Sequence, residues 1–142
     1  IDEGLALLQA LDAEEETQAA YCLHPYLQSD ADFMAHKRDP RLQEFTAHVL
    51  LLTMEYRRVA NSYLSIAPPN TFVGFSCPEV RQMLIADKVQ NYKDFLRYHK
   101  GKHPRSEALD TYFLHWMQLL EVDFKSFVKL IDKPINFFFI LL

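Results

Sequence analysis

Three glycines in 142 residues are very few. Sheet proteins with many tight turns use glycine freely and helical bundles do not, so the scarcity points to helices. Cysteine is rarer still. Cys22 and Cys77 sit in apolar company with no metal-binding spacing, which argues against a disulfide framework and predicts reduced core residues of an intracellular protein. No apolar run approaches the roughly 20 residues that cross a bilayer, and no signal-peptide pattern appears, so a cytoplasmic domain without a membrane partner is expected. A basic excess is missing too. The net charge of −4 carries no footprint of a nucleic-acid binder. Basic residues cluster only locally, in Arg57–Arg58 and in Lys100, Lys102 and Arg105; these read as solvated helix ends, with phosphate contact the alternative. Phosphate-binding loops, dinucleotide-binding glycine patterns, zinc spacings and nucleophile elbows are all absent.

What the chain does have is apolar bulk. Hydrophobic residues make up 49% of it, with 11 Phe and 7 Tyr, enough for one domain with a real core. A first helix is predicted from Asp2 to Leu11, with Leu5, Leu8 and Leu11 inward. Asp12 and Glu14–Glu16 open a second, since carboxylates favour a helix N-terminus, and Ala19, Cys22, Leu23, Tyr26 and Leu27 form its inner face. A further turn or two falls around Phe33 and Met34. Asp39–Pro40 then starts a long helix in which Phe45, Val49, Leu52, Tyr56, Val59 and Tyr63 recur at steps of four and three.

Pro68, Pro69, Asn70 and Gly74 form a loop, and Pro78 sits at a first helical position. That helix is expected to reach about His99 with Val80, Leu84, Ile85, Val89, Tyr92 and Leu96 inside. Gly101 and Pro104 separate it from a last helix, Ser106 to about Ile131, carrying Leu109, Phe113, Trp116, Leu120, Phe124, Phe127 and Ile131. The expectation is an all-α bundle of about five to six helices over residues 1–133. An apolar tail follows at 134–142, whose Phe137–Leu142 run packs on the bundle, buries in a homo-oligomer or is an artefact.

Two places could carry chemistry. Ala19-Ala20-Tyr21-Cys22-Leu23-His24-Pro25 reads as a helix ending in a histidine that faces the apolar side. In Leu84-Ile85-Ala86-Asp87-Lys88-Val89-Gln90-Asn91, Asp87 and Asn91 lie one turn apart on one helix face, and a carboxylate in such an apolar run needs a partner.

This pair of helices resembles the HD-domain phosphohydrolases, and within them the RelA/SpoT-type (p)ppGpp hydrolase branch. There an Ala-Ala-x-x-Leu-His-Asp helix is paired with a later Leu-Ala-Asp-Lys-x-x-Asn helix. Tyr112-Phe113 and Trp116 extend the likeness, which runs from about Leu5 to Leu130. It implies an HD-like bundle in which two histidines and two aspartates hold a divalent metal, typically manganese, to activate water against a pyrophosphate ester. His24 and Asp87 match two of those ligands, and Lys88, Asn91 and Tyr112 match positions that line the family's nucleotide pocket.

The departures are specific. Pro25 stands where the family has the aspartate of the His-Asp pair, and Gln28 and Ser29 replace its catalytic acidic pair, with Asp30 and Asp32 off register. Ile1 is not an initiator residue, so the start is expected to be cut, processed or tag-derived; the first metal histidine would fall just before it.

The resemblance therefore implies a catalytically degenerate domain with no catalytic residue retained. His24 and Asp87 are remnants of the metal site, kept as a buried pair, and the domain serves as a regulatory, nucleotide-binding or interaction module. No cofactor is expected; a guanosine nucleotide and a protein partner are the expected ligands. One alternative is an active manganese phosphohydrolase in which His48, Asp30 or Asp32 substitutes as ligand. The other is an unrelated helical interaction module.

Overall fold

The computed structural model describes residues 1–66 and 69–131. They form α1 (Asp2–Ala10), α2 (Glu15–Leu27), α3 (Asp30–His36), α4 (Ala47–Ser62), α5 (Pro78–Asp94), α6 (Ser106–Leu120) and α7 (Phe124–Val128), with no strand among them. Short 3-10 turns cover Pro40–Glu44 and Pro69–Thr71. The all-α expectation holds. Residues 134–142, read as an apolar tail, lie outside the described residues.

Helix α5 is the centre of the bundle. It packs on α1, α2, α4, α6 and α7, and Val80, Met83, Leu84, Ile85, Ala86 and Val89 are almost entirely buried along it. A helix buried on nearly every side has no polar face to spare, so any polar residue in its middle meets other helices rather than water.

Several boundaries differ from the sequence reading. The long helix does not begin at Asp39. Asp39 caps a 3-10 turn, its Oδ1 accepting the Arg41 N–H at 2.9 Å, and Phe45 is extended. Thr46 then caps α4 through a 3.2 Å bond from the Val49 N–H. Two local caps thus outcompete a continuous apolar stripe. The expected last helix also breaks, because Glu121 adopts a left-handed conformation (φ 54°). That break turns α7 back, so Phe124 packs 4.7 Å from Tyr92 on α5.

Helix α5 does continue to His99, but through a π-helical turn over Phe95–His99. The extra residue in that turn carries Phe95 into the core and leaves Leu96 36% exposed. In α1 the buried positions are Gly4, Leu7 and Leu8, a face rotated from the expected one. Gly4 is dictated by close approach, since a Cβ there would meet Tyr21 Oη at 1.9 Å. The cysteines need correcting too. Cys22 is exposed, because the buried side of α2 runs through Thr17, Ala20, Tyr21, Leu23, His24 and Leu27, and Cys77 is half-buried against the core.

Candidate functional site

Four helices deliver one polar side chain or more to a single buried spot. Helix α2 supplies His24, α4 Tyr56, α5 Asp87, Lys88 and Asn91, and α6 Tyr112 and Trp116. Here the sequence reading of α2 needs one change: the helix does not stop at His24 but continues through Pro25 to Leu27.

Pro25 has no N–H to give the Tyr21 carbonyl one turn back. His24 Nδ1 takes that acceptor instead. A carbonyl oxygen only accepts, so Nδ1 carries the proton and Nε2 is aimed inward. It stands 3.7 Å from Asp87 Oδ1, just beyond hydrogen-bond length, with the His24 ring packed against Tyr21 and Tyr56.

The Asp87 carboxylate is crowded. Asn91 Nδ2, one turn on, donates to Oδ1 at 3.0 Å, and the Lys88 ammonium lies 3.2 Å from Oδ2. Burial alone would push the Asp87 carboxyl up. The Lys88 charge, the His24 ring and the Tyr56 hydroxyl outweigh burial and hold it well below the usual carboxylate range. Burial would likewise depress the Lys88 ammonium, but Asp87 and then Tyr112 raise it above the ordinary lysine value.

Lys88 donates to Tyr112 Oη at 3.2 Å, and its ammonium lies 5.3 Å from the Trp116 ring centre. Tyr56 is fully buried, and burial followed by the nearby Asp87 charge pushes its phenol well above its normal value. Its hydroxyl nonetheless makes no hydrogen bond of normal geometry with a described residue, and neither does Trp116 Nε1.

All five residues singled out from the sequence therefore meet, and His24 and Asp87 face each other. Their accessibility differs: His24, Asp87, Lys88 and Tyr112 are buried, and only Asn91 reaches the surface. A hollow of about 490 Å³ beside α5 is lined by Asn91, Phe95, His99, His103 and Phe113, and another of about 410 Å³ lies between α3 and α4. Neither is lined by His24, Asp87, Lys88 or Tyr112. The sequence reading missed Tyr56, which its stripe counted as plain core. The only signal was a hydroxyl inside an apolar run.

The donor set does not fit a divalent metal. His24 and Asp87 are two ligands, Asp87 already has Asn91 and an ammonium on it, and metal affinity rests on ligand number and geometry. Two of the candidate substitutes are engaged elsewhere, His48 lying 3.5 Å from Glu16 and Asp30 pairing with Arg57, while Asp32 sits in the first turn of α3. Among the described residues no three His, Cys, Asp or Glu side chains converge. What the cluster can do is hold four helices in register through buried charge. No protein-family model, no curated protein and no solved structure matches the chain.

Proposed function

We propose that this chain is a catalytically degenerate domain of the HD type, related to the RelA/SpoT hydrolase branch, that acts as a regulatory or interaction module. The observation that carries this reading is that His24 and Asp87 face each other with no third His, Cys, Asp or Glu side chain converging on them among the described residues. A metal hydrolase needs more ligands than that pair, because metal affinity rests on ligand number and geometry. Pro25 removes the adjacent ligand and in the same stroke directs His24 Nδ1 to the Tyr21 carbonyl.

The test is thermal unfolding with and without manganese, with His24→Ala as control. Anything that binds only the folded state raises its melting temperature, by about 2.7 kcal/mol of stability at a hundredfold excess over Kd. No manganese-dependent shift is expected. A clear shift that disappears in His24→Ala would overturn this reading in favour of an active manganese-dependent phosphohydrolase of (p)ppGpp-like nucleotides.

A nucleotide-binding role without hydrolysis has one observation in its favour: Asn91 touches Asp87 and also borders the hollow lined by Phe95, His99, His103 and Phe113. Lys88 and Tyr112, the other two pocket positions, are buried and bonded to each other, which weighs against it. A guanosine nucleotide that stabilises the protein without metal, and fails to do so in Asn91→Ala, would establish that role.

A further inference from the structure

Helix α3 is braced against α2 and α4 by polar contacts. His36 stacks on Tyr26 at 3.8 Å between ring centres, and its Nδ1 donates to the Tyr26 carbonyl at 2.8 Å. The Tyr26 hydroxyl in turn donates to Asp39, which Arg41 also holds. On the α4 side the Arg57 guanidinium lies 4.8 Å from the Phe33 ring centre, donates to the Leu27 carbonyl at 3.1 Å and pairs with Asp30. These braces keep the space between α3 and α4 from closing.

The hollow of about 410 Å³ held there has an apolar floor of Leu27, Phe33, Leu42, Leu50 and Met54. Apolar surface runs past it on both helices. Met34, one turn before Lys37 and Arg38, is 63% exposed, and Leu51, one turn before Met54, is 64% exposed. Surface that extends beyond a hollow suits a protein segment better than a small ligand, which would leave Met34 and Leu51 in water.

The rim is positive. Lys37 and Arg38 border the hollow and are exposed; neither pairs with an acid among the described residues, and the Lys37 ammonium lies over the Phe33 ring at 5.9 Å. The acids nearby do not offset them. Asp39 is held by Arg41 and Tyr26, Asp30 by Arg57 and Glu55 by Arg58. Asp32 points away from Met34 on α3, two positions before it, and Glu44 borders the neighbouring hollow with Arg41 and Phe45.

We propose that this hollow seats the apolar stripe of an amphipathic helix on a partner protein, whose acidic residues beside the stripe meet Lys37 and Arg38. Anchors at i, i+3 or i+4 and i+7 make a stripe about 10 Å long, which lies in such a groove with its flanks on the rim. A braced hollow loses little freedom on docking. This rests on the interaction-module part of the function proposed above and names its partner. Neither His24 nor Asp87 lines the hollow, so the manganese test and the docking test fail separately.

The experiment is selection on the whole chain from a displayed library of random peptides of about 16 residues, long enough for four helical turns, with the enriched peptides then titrated by fluorescence anisotropy. Enriched sequences are expected to carry apolar residues at helical spacing with Asp or Glu beside them. Leu51→Asp and Lys37→Glu/Arg38→Glu should each weaken their binding by about tenfold or more, and replacing the peptide acids by lysine should recover binding to the second variant. All three positions are exposed, and circular dichroism checks that each variant folds. Enriched peptides without acidic residues overturn the proposal, as does binding that either variant leaves unchanged. No enrichment overturns it too, and Leu51-dependent binding of decanoate or of phosphatidylglycerol vesicles would then assign the surface to a small amphiphile or to a membrane.

Discussion

Lys88 Nζ lies 3.2 Å from Asp87 Oδ2, and both side chains are buried although the two residues are neighbours on one helix. Successive positions on a helix point about 100° apart, so the contact depends on the long lysine stem bending back between α5 and α6. The ammonium is held there by Tyr112 Oη and the Trp116 ring. Breaking one side of such a pair strands the other charge. Asp87→Ala or Lys88→Ala should each destabilise the protein by about 3–5 kcal/mol, whereas Asp87→Leu/Lys88→Met together should cost much less than the sum. Urea midpoints of the four proteins measure this. Additive losses would mean the two charges do not act as a pair.

The same pair sets a pH dependence. The folded Asp87 carboxyl is depressed, so its contribution is present above the ordinary carboxylate value of about 4 and is lost as pH falls through the folded value. The folded Lys88 is raised, so its contribution is present below about pH 10 and is lost as pH climbs through the folded value. Stability should be flat near neutrality and fall at both extremes. The Asp87→Leu/Lys88→Met protein should show a shallower acid limb in a urea series across pH. An unchanged acid limb would assign acid unfolding to other carboxylates.

Gly4→Ala separates helix propensity from packing. In an exposed helix interior, alanine gains up to about 1 kcal/mol over glycine. Here the new methyl would meet Tyr21 Oη at 1.9 Å and Cζ at 2.3 Å, and Tyr21 is buried. A loss of about 1–3 kcal/mol is expected. A more stable Gly4→Ala protein would mean that α1 and α2 can move apart without cost.

Pro25→Ala returns the missing N–H to the Tyr21 carbonyl and removes the ring from the helix. Because the site lies close to the C-terminus of α2, the gain should be roughly 1 kcal/mol rather than the ~3 kcal/mol of a helix centre. The unfolding midpoint measures it. A loss instead would show that locking His24 Nδ1 matters more to the fold than the backbone bond.

Cys22 is exposed, yet partial desolvation raises its thiol above the ordinary value, so it is accessible without being activated. An aromatic disulfide reagent should modify it in the native protein at a slow rate that rises with pH, and Cys22→Ser should remove that phase. A burst faster than a free thiol would contradict the raised value.

How legible this was depended on the range of the interaction. The stripe through Val49, Leu52, Tyr56 and Val59 identified α4 because burial follows helical period wherever the neighbour is a smooth apolar surface. Its start could not be read, since Asp39 and Thr46 both look like caps and only the Thr46–Glu16 contact at 2.5 Å favours the second. The break at Glu121 was invisible for a related reason. The apolar period continues across it to Phe124 and Phe127, and the turn exists because Phe124 finds Tyr92. Cys22 lies one position off the true face of α2, so its apolar neighbours in sequence do not translate into burial.

By itself the sequence determined the helical class and the rough helix order, and it marked His24, Asp87 and Asn91 as polar residues in apolar runs. Those follow from local propensity, period and residue chemistry, which are properties of short segments, whereas Lys88 and Tyr112 stand out only through the family resemblance. Tertiary structure decided what the polar residues do. Lys88 could equally have pointed to solvent, but α6 places Tyr112 and Trp116 where its ammonium is held beside Asp87. It also decided that Lys93 at the end of α5 meets Glu3 at the start of α1, because the antiparallel packing of these two helices brings together charges that are far apart in sequence.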